Sequence, residues 1–215
     1  TGPNTYTVSA LDASSTVSFS SASVTVPARS AVSVDVTVTA YASLAERSIF
    51  GGYVVATPQG GGQPLRVPFA GLTGDYQSVP VLTSGGNGFP WLAQLSAGSY
   101  TNKNATGATF TMADGDIAYL LLHLDHQSRK VVVKAFEKAS GQPVGLVSTD
   151  SYLPRSSTAN GYFAFGWDGT TSRGVQPNGD YYVTVEVLKA GGQASNPAHW
   201  ERFTTNTITI ARPAL

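Results

Sequence analysis

With 215 residues, the chain has room for one large β domain or two ordinary ones, since single domains mostly run to about 100–200 residues. Only 12% of the residues are charged against a usual ~25%, while 41% are apolar, which excludes a solvated helix bundle with charged faces. Thirteen basic and thirteen acidic residues cancel and no Lys/Arg cluster occurs, so no nucleic acid is expected as a partner, because phosphate binding needs a basic face.

Period-2 alternation recurs in short pieces bounded by Gly, Pro, Asn and Ser, and no stretch holds apolar residues at helical spacing for three turns; the chain therefore reads as all-β. Val24 and Val26 mark one early strand. Val32, Val34, Val36 and Val38 mark the next, with Ser33, Asp35 and Thr37 on its wetted face. Residues 53–56 and 65–67 flank Pro58-Gln59-Gly60-Gly61-Gly62, a loop able to supply the positive φ that a hairpin needs.

After residues 79–82, the stretch Thr83-Ser84-Gly85-Gly86-Asn87-Gly88 has little to bury and reads as a linker. The expected division is a first domain over 1–83, a linker over 84–88 and a second domain over 89–215, with the apolar cluster 89–92 packing at the seam. Further strands are expected at 118–124 and 130–136, joined by a turn near Gln127 and Ser128, then at 162–165. Pro177-Asn178-Gly179-Asp180 is a strong turn signal before a strand at 181–188, and residues 203–210 close the series. Single helical turns fit only around 42–47 or 197–200. Strands spaced in this way, with turn signals between them, predict two tandem antiparallel β-sandwiches.

The absence of cysteine removes disulfides, thiolate nucleophiles and Cys-ligated zinc. The longest apolar run, 117–122, is far short of the ~20 residues that span a bilayer, so no membrane span is expected. Thr1-Gly2-Pro3 has no signal-peptide character, and a Ser/Thr/Gly-rich chain with few Lys reads as a mature or excised segment of a secreted, bacterial protein.

The densest polar cluster is His123-Leu124-Asp125-His126. On a strand, His123 and Asp125 share one side while His126 lies on the other, so three metal ligands do not converge, and a structural role at a turn is expected. No nucleophile elbow of the Gly-x-Ser-x-Gly type is present, and catalysis is not expected. Asp114-Gly115-Asp116 and Asp168-Gly169 lack the acid count of a calcium loop and read as turns. Trp167 follows Phe163 and Phe165 in alternation and reads as core; Trp91 and Trp200 are expected to plug a sandwich end or the seam, with a carbohydrate platform as the alternative. Asn104-Ala105-Thr106 fits a glycosylation acceptor.

Phe50-Gly51-Gly52-Tyr53-Val54-Val55, the run from Leu65 to Tyr76 and Val79-Pro80-Val81-Leu82 resemble the fibronectin-III-like domain that follows the catalytic domain of large secreted subtilisin-like serine peptidases. Phe89-Pro90-Trp91-Leu92, His123-Leu124-Asp125-His126-Gln127, Trp167-Asp168-Gly169-Thr170, Pro177-Asn178-Gly179-Asp180-Tyr181 and Asn196-Pro197-Ala198-His199-Trp200-Glu201 resemble the C-terminal region of the same proteins. The resemblance runs from about Tyr6 to about Pro213. None of the family's catalytic Asp, His or Ser signatures is present, so it implies a non-catalytic accessory module, without metal or cofactor, packed on the catalytic domain of its own polypeptide. The residues it points to for interaction are Phe50, Tyr53, Phe69, Asp75, Tyr76, Trp91, His123, Asp125, His126 and Trp200. Protein substrate or a cell-surface polymer is the further partner, and an adhesion module that binds carbohydrate is the alternative function.

Overall fold

The structure is a computed structural model that describes residues 4–214. It is all-β, with three short 3-10 turns as the only helical pieces among the described residues. The chain divides into two compact units between Ser78 and Val79.

The first unit contains β1 (Asn4–Leu11), β2 (Ser15–Phe19), β3 (Ser23–Val26), β4 (Val36–Ala40), β5 (Ile49–Pro58) and β6 (Leu65–Leu72). Strands β3, β1, β5 and β6 form an antiparallel sheet in that order, and β2 pairs with β4 alone. The hairpin of β5 and β6 forms where the glycine loop predicts it, with Ala56 opposite Leu65 and with Gly61 and Gly62 at φ of 84° and 123°. The expected strand through Val32 and Val34 differs: pairing begins only at Val36. Before it, Asp35 alone reaches β2, accepting from Ser20 N (3.0 Å) and donating to Ser20 Oγ (2.9 Å). Residues 42–47 form no helix. Arg47 N donates to Thr73 O and Thr73 Oγ1 donates to Ala45 O, and these bonds to the end of the neighbouring β6 hold the segment in successive turns.

The second unit opens with β7 (Leu82–Thr83), β8 (Trp91–Ser96), β9 (Ser99–Asn102), β10 (Ala108–Phe110), β11 (Ala118–Leu124) and β12 (Ser128–Glu137). It continues with β13 (Pro143–Ser151), β14 (Phe163–Trp167), β15 (Thr170–Thr171), β16 (Gly174–Val175), β17 (Gly179–Lys189), β18 (Trp200–Thr204) and β19 (Ile208–Ile210). One sheet runs β10-β19-β17-β12-β13 with β18 also on β17; the other runs β14-β11-β8-β9 with β7 on β11. All pairs are antiparallel except β10 with β19.

Alternate residues of the two sheets meet in one buried core: Ala118, Leu120, Leu122 and Leu124 from β11 against Val131, Val133 and Ala135 from β12 and Val183, Val185 and Val187 from β17. This is a β-sandwich, and the turn at Gln127 carries the chain from one layer to the other. Trp167 is 1% exposed in this core, donates Nε1–H to Thr170 O and meets Tyr181 edge-on at 5.7 Å. The expected last strand is two strands: Thr205 breaks it by exchanging backbone and hydroxyl hydrogen bonds with Val183.

The glycine-rich stretch 84–88 is part of the second unit rather than a free linker. Thr83 pairs with His123, Gly86 N donates to Ala159 O at 2.7 Å, and Gly85–Asn87 forms a 3-10 turn. Gly85 adopts φ +53°, and a Cβ there would lie 2.7 Å from His123 Cγ. Its lack of a side chain permits close packing, and composition alone does not separate that use from flexibility.

Candidate interaction sites

The outer face of the β14-β11-β8-β9 sheet is aromatic. Strand alternation turns Trp91, Ala93, Tyr119 and Leu121 outward, opposite the core residues, and the β8–β9 register adds Tyr100. Phe89 is buried at their centre, 5.1 Å from Trp91 and 5.5 Å from Tyr162, while Tyr100 meets Tyr119 and Tyr162 edge-on at 5.2 and 6.0 Å. Residues 89–92 therefore pack within their own unit. Burial, reinforced by the neighbouring Tyr119 and Tyr162, raises the Tyr100 phenol above its ordinary value. Trp91 Nε1–H is held by Gly88 O at 3.1 Å, which fixes the indole.

His123 closes one end of this face. It is 2% exposed, stacks on Phe89 and hydrogen-bonds through Nδ1 to Gly161 O at 2.6 Å and through Nε2 to Asp125 Oδ1 at 3.1 Å. A carbonyl can only accept, so Nδ1 is the donor, and the ring pins the 159–161 loop to β11. Asp125 is exposed; His126 is half-buried. His199 is engaged elsewhere, its Nδ1 accepting from Gln193 N and its Nε2 lying 3.0 Å from the Asn196 amide. No group of three or more His, Asp or Glu side chains gathers among the described residues.

Trp200 stands on the opposite sheet, with Nε1–H on Ala194 O at 3.0 Å, beside a cavity of about 540 Å³ that Glu186 and Arg202 also line. Lys134 Nζ lies 2.6 Å from Glu186 Oε2, and Arg202 binds the other oxygen. Burial alone would raise Glu186, but hydrogen bonds and charge from Lys134 and Arg202 outweigh it and hold the carboxyl below its usual value.

In the first unit, Phe50 and Phe69 are half-buried on the inner face of β5 and β6, the Phe50 ring lying over Gly71. Tyr53, 40% exposed, alternates to the outer face. Asp75 takes Gln77 N on Oδ1 at 2.8 Å and caps the 3-10 turn Tyr76–Ser78, so these two residues shape a turn. Between the sheet and residues 27–36 lies a groove of about 480 Å³, walled by Tyr6, Val24, Val54 and Ala56 on one side and by Val32, Val34 and Val36 on the other. Its lining is apolar and open, with Leu65 61% and Val32 48% exposed.

Trp91, His123 and Asp125 thus fall on one face, Phe50, Tyr53 and Phe69 on one hairpin, and Trp200 elsewhere in the second unit. Sequence reasoning passed over Tyr100, Tyr119 and Tyr162, whose signal is the β8–β9 register combined with the outward parity of β11. The Asn104 sequon serves the fold: its amide accepts from Leu92 N at 2.7 Å and donates to Pro90 O at 2.8 Å. Asp116 and Asp168 likewise serve turns, Asp116 taking Thr111 N and Oγ1 and Asp168 taking Thr170 N. Compared with known protein families and with curated proteins, the sequence matches none.

Proposed function

We propose that the chain is a non-catalytic accessory module of a secreted subtilisin-like serine peptidase, docking on the catalytic domain of its own polypeptide through the first unit. The observation that carries this reading is the open apolar surface of that unit. Leu65 is 61% and Val32 48% exposed on a groove that the unit does not fill, and on the other face of β5 Ile49 is 79% exposed. Contiguous apolar patches of this kind mark interaction surfaces, whereas single exposed apolar residues do not. Tethering raises the local concentration of such a neighbour to roughly millimolar, so a modest apolar contact suffices, and a chain with no net charge has little with which to steer a free partner over distance. The residues that resemble the peptidase tail supply the identity of the neighbour. The coding sequence upstream of Thr1 tests this directly: a subtilisin-like domain with its Asp, His and Ser signatures is the expected result, and an open reading frame without one would reject it.

The aromatic face of the second unit favours a second reading, a glycan or surface-polymer site in which Trp91, Tyr100 and Tyr162 stack on sugar rings. Titration with oligosaccharides, read by indole fluorescence, is expected to respond through Trp91 and to fall silent in Trp91→Ala. No response from the unsubstituted chain would remove this reading.

A further inference from the structure

We propose that the first unit accepts one extended polypeptide segment with alternating apolar side chains, added as a strand to the free edge of β4. This rests on the reading of the unit as a docking module and names how the docking is made. The valine alternation at 32, 34, 36 and 38 is that of one continuous strand, yet β4 pairs only with β2, and among the described residues the backbone of residues 31–34 makes no hydrogen bond. Asp35 turns both its N–H and its C=O toward Ser20 on the β2 side. Backbone groups alternate along a strand, so those of Val34, Val36 and Val38 face the opposite, unpaired side.

The side chains of Val32, Val34 and Val36 meanwhile line the groove. One edge therefore presents a row of donors and acceptors directly beside an apolar trough. A small apolar molecule or an acyl chain would fill the trough and leave the row unanswered; an extended peptide answers both, its backbone pairing with the edge and every second side chain entering the groove. The free edge of the larger sheet at β6 is a poorer site, because Pro68 has no N–H to offer.

The test uses the full chain and two synthetic probes with the same side chains: a short peptide of alternating valine and threonine with lysine ends, and its analogue N-methylated at alternate residues. Amide exchange is followed by NMR. The unmethylated peptide at millimolar concentration is expected to slow exchange at Val34 and Val36 about tenfold or more, with the methylated analogue leaving both unchanged. Val34→Pro, which removes one edge donor, is expected to weaken the unmethylated peptide about tenfold while β1 and β5 keep their protection. Should that variant lose its fold, Ala56→Phe, which fills the groove from the sheet side and keeps every donor, is expected to weaken it similarly. Equal slowing by both probes would overturn strand addition in favour of a purely apolar ligand, and no slowing by either would overturn it outright. Failure here leaves the docking reading standing, because Ile49 and Tyr53 lie on the other face of β5; that reading fails on the upstream coding sequence instead.

Discussion

Glu201 accepts from Val81 N and Leu82 N at 2.9 and 2.6 Å and pairs with Lys189 Nζ at 3.2 Å, so one carboxylate ties the entry of the second unit to β17 and β18. Glu201→Ala takes the acceptor from those two backbone donors and breaks the Lys189 ion pair. It is expected to destabilise the unit by about 1–3 kcal/mol, read as a lower urea midpoint. Glu186 and Asp116 carry a pH dependence. For Asp116, burial raises the carboxyl, but the Thr111 N–H, the Gln94 amide and the Thr111 hydroxyl together outweigh it and leave it lowered. A carboxyl lowered on folding contributes stability that is full above its unfolded value, near 4, and is lost as pH falls through the folded value. The second unit is therefore expected to lose stability progressively below about pH 4, and the double variant Glu186→Gln with Asp116→Asn to show a flatter acid limb in urea titrations. An unchanged slope would contradict the two assignments.

At the scale of elements, the strands legible in the sequence are those whose alternation sets apolar core against a polar or aromatic outer face. β11 matches its expected bounds, and β12 and β17 extend theirs by a few residues; Val183, Val185 and Val187 make the core face of β17, and Val131, Val133 and Ala135 that of β12. β1 escaped notice because Thr5, Thr7 and Ser9 make its outer face and only Val8 is fully covered, so its alternation is weak in hydropathy terms. The 84–88 stretch misled for a different reason: sequence shows that glycine is present, while the need for it arises from His123 across the fold. Gly85→Ala is expected to cost stability through both the positive φ and the clash with the imidazole, by about 1–3 kcal/mol. Trp167→Ala opens the core between the sheets and is expected to cost about 3–5 kcal/mol. By contrast, Ile49→Ser combined with Leu65→Ser and Val67→Ser touches side chains already in water; the isolated chain is expected to keep its melting temperature within a few degrees, and under the proposed docking the longer polypeptide is expected to melt lower.

Across the whole molecule the core is unevenly distributed. The largest fully buried side chains, from Leu92 to Ile210, all lie in the second unit, while among the described residues Val8 and Val55 are the buried apolar residues of the first. The two-stranded layer of β2 and β4 is too narrow to cover a four-stranded sheet, which leaves the groove open. Amides of β1 and β5 are accordingly expected to exchange well before those of β12 and β17. Under the proposed docking the unit gains core from its partner, which links partner binding to stability. The most direct measurement of the proposed docking compares the proposed parent peptidase with and without these 215 residues, following thermal unfolding and cleavage of both a folded protein and a short peptide. A lower melting temperature or slower protein cleavage after deletion, with peptide cleavage changed less, is the predicted result; equal melting and equal cleavage of proteins would contradict the docking role.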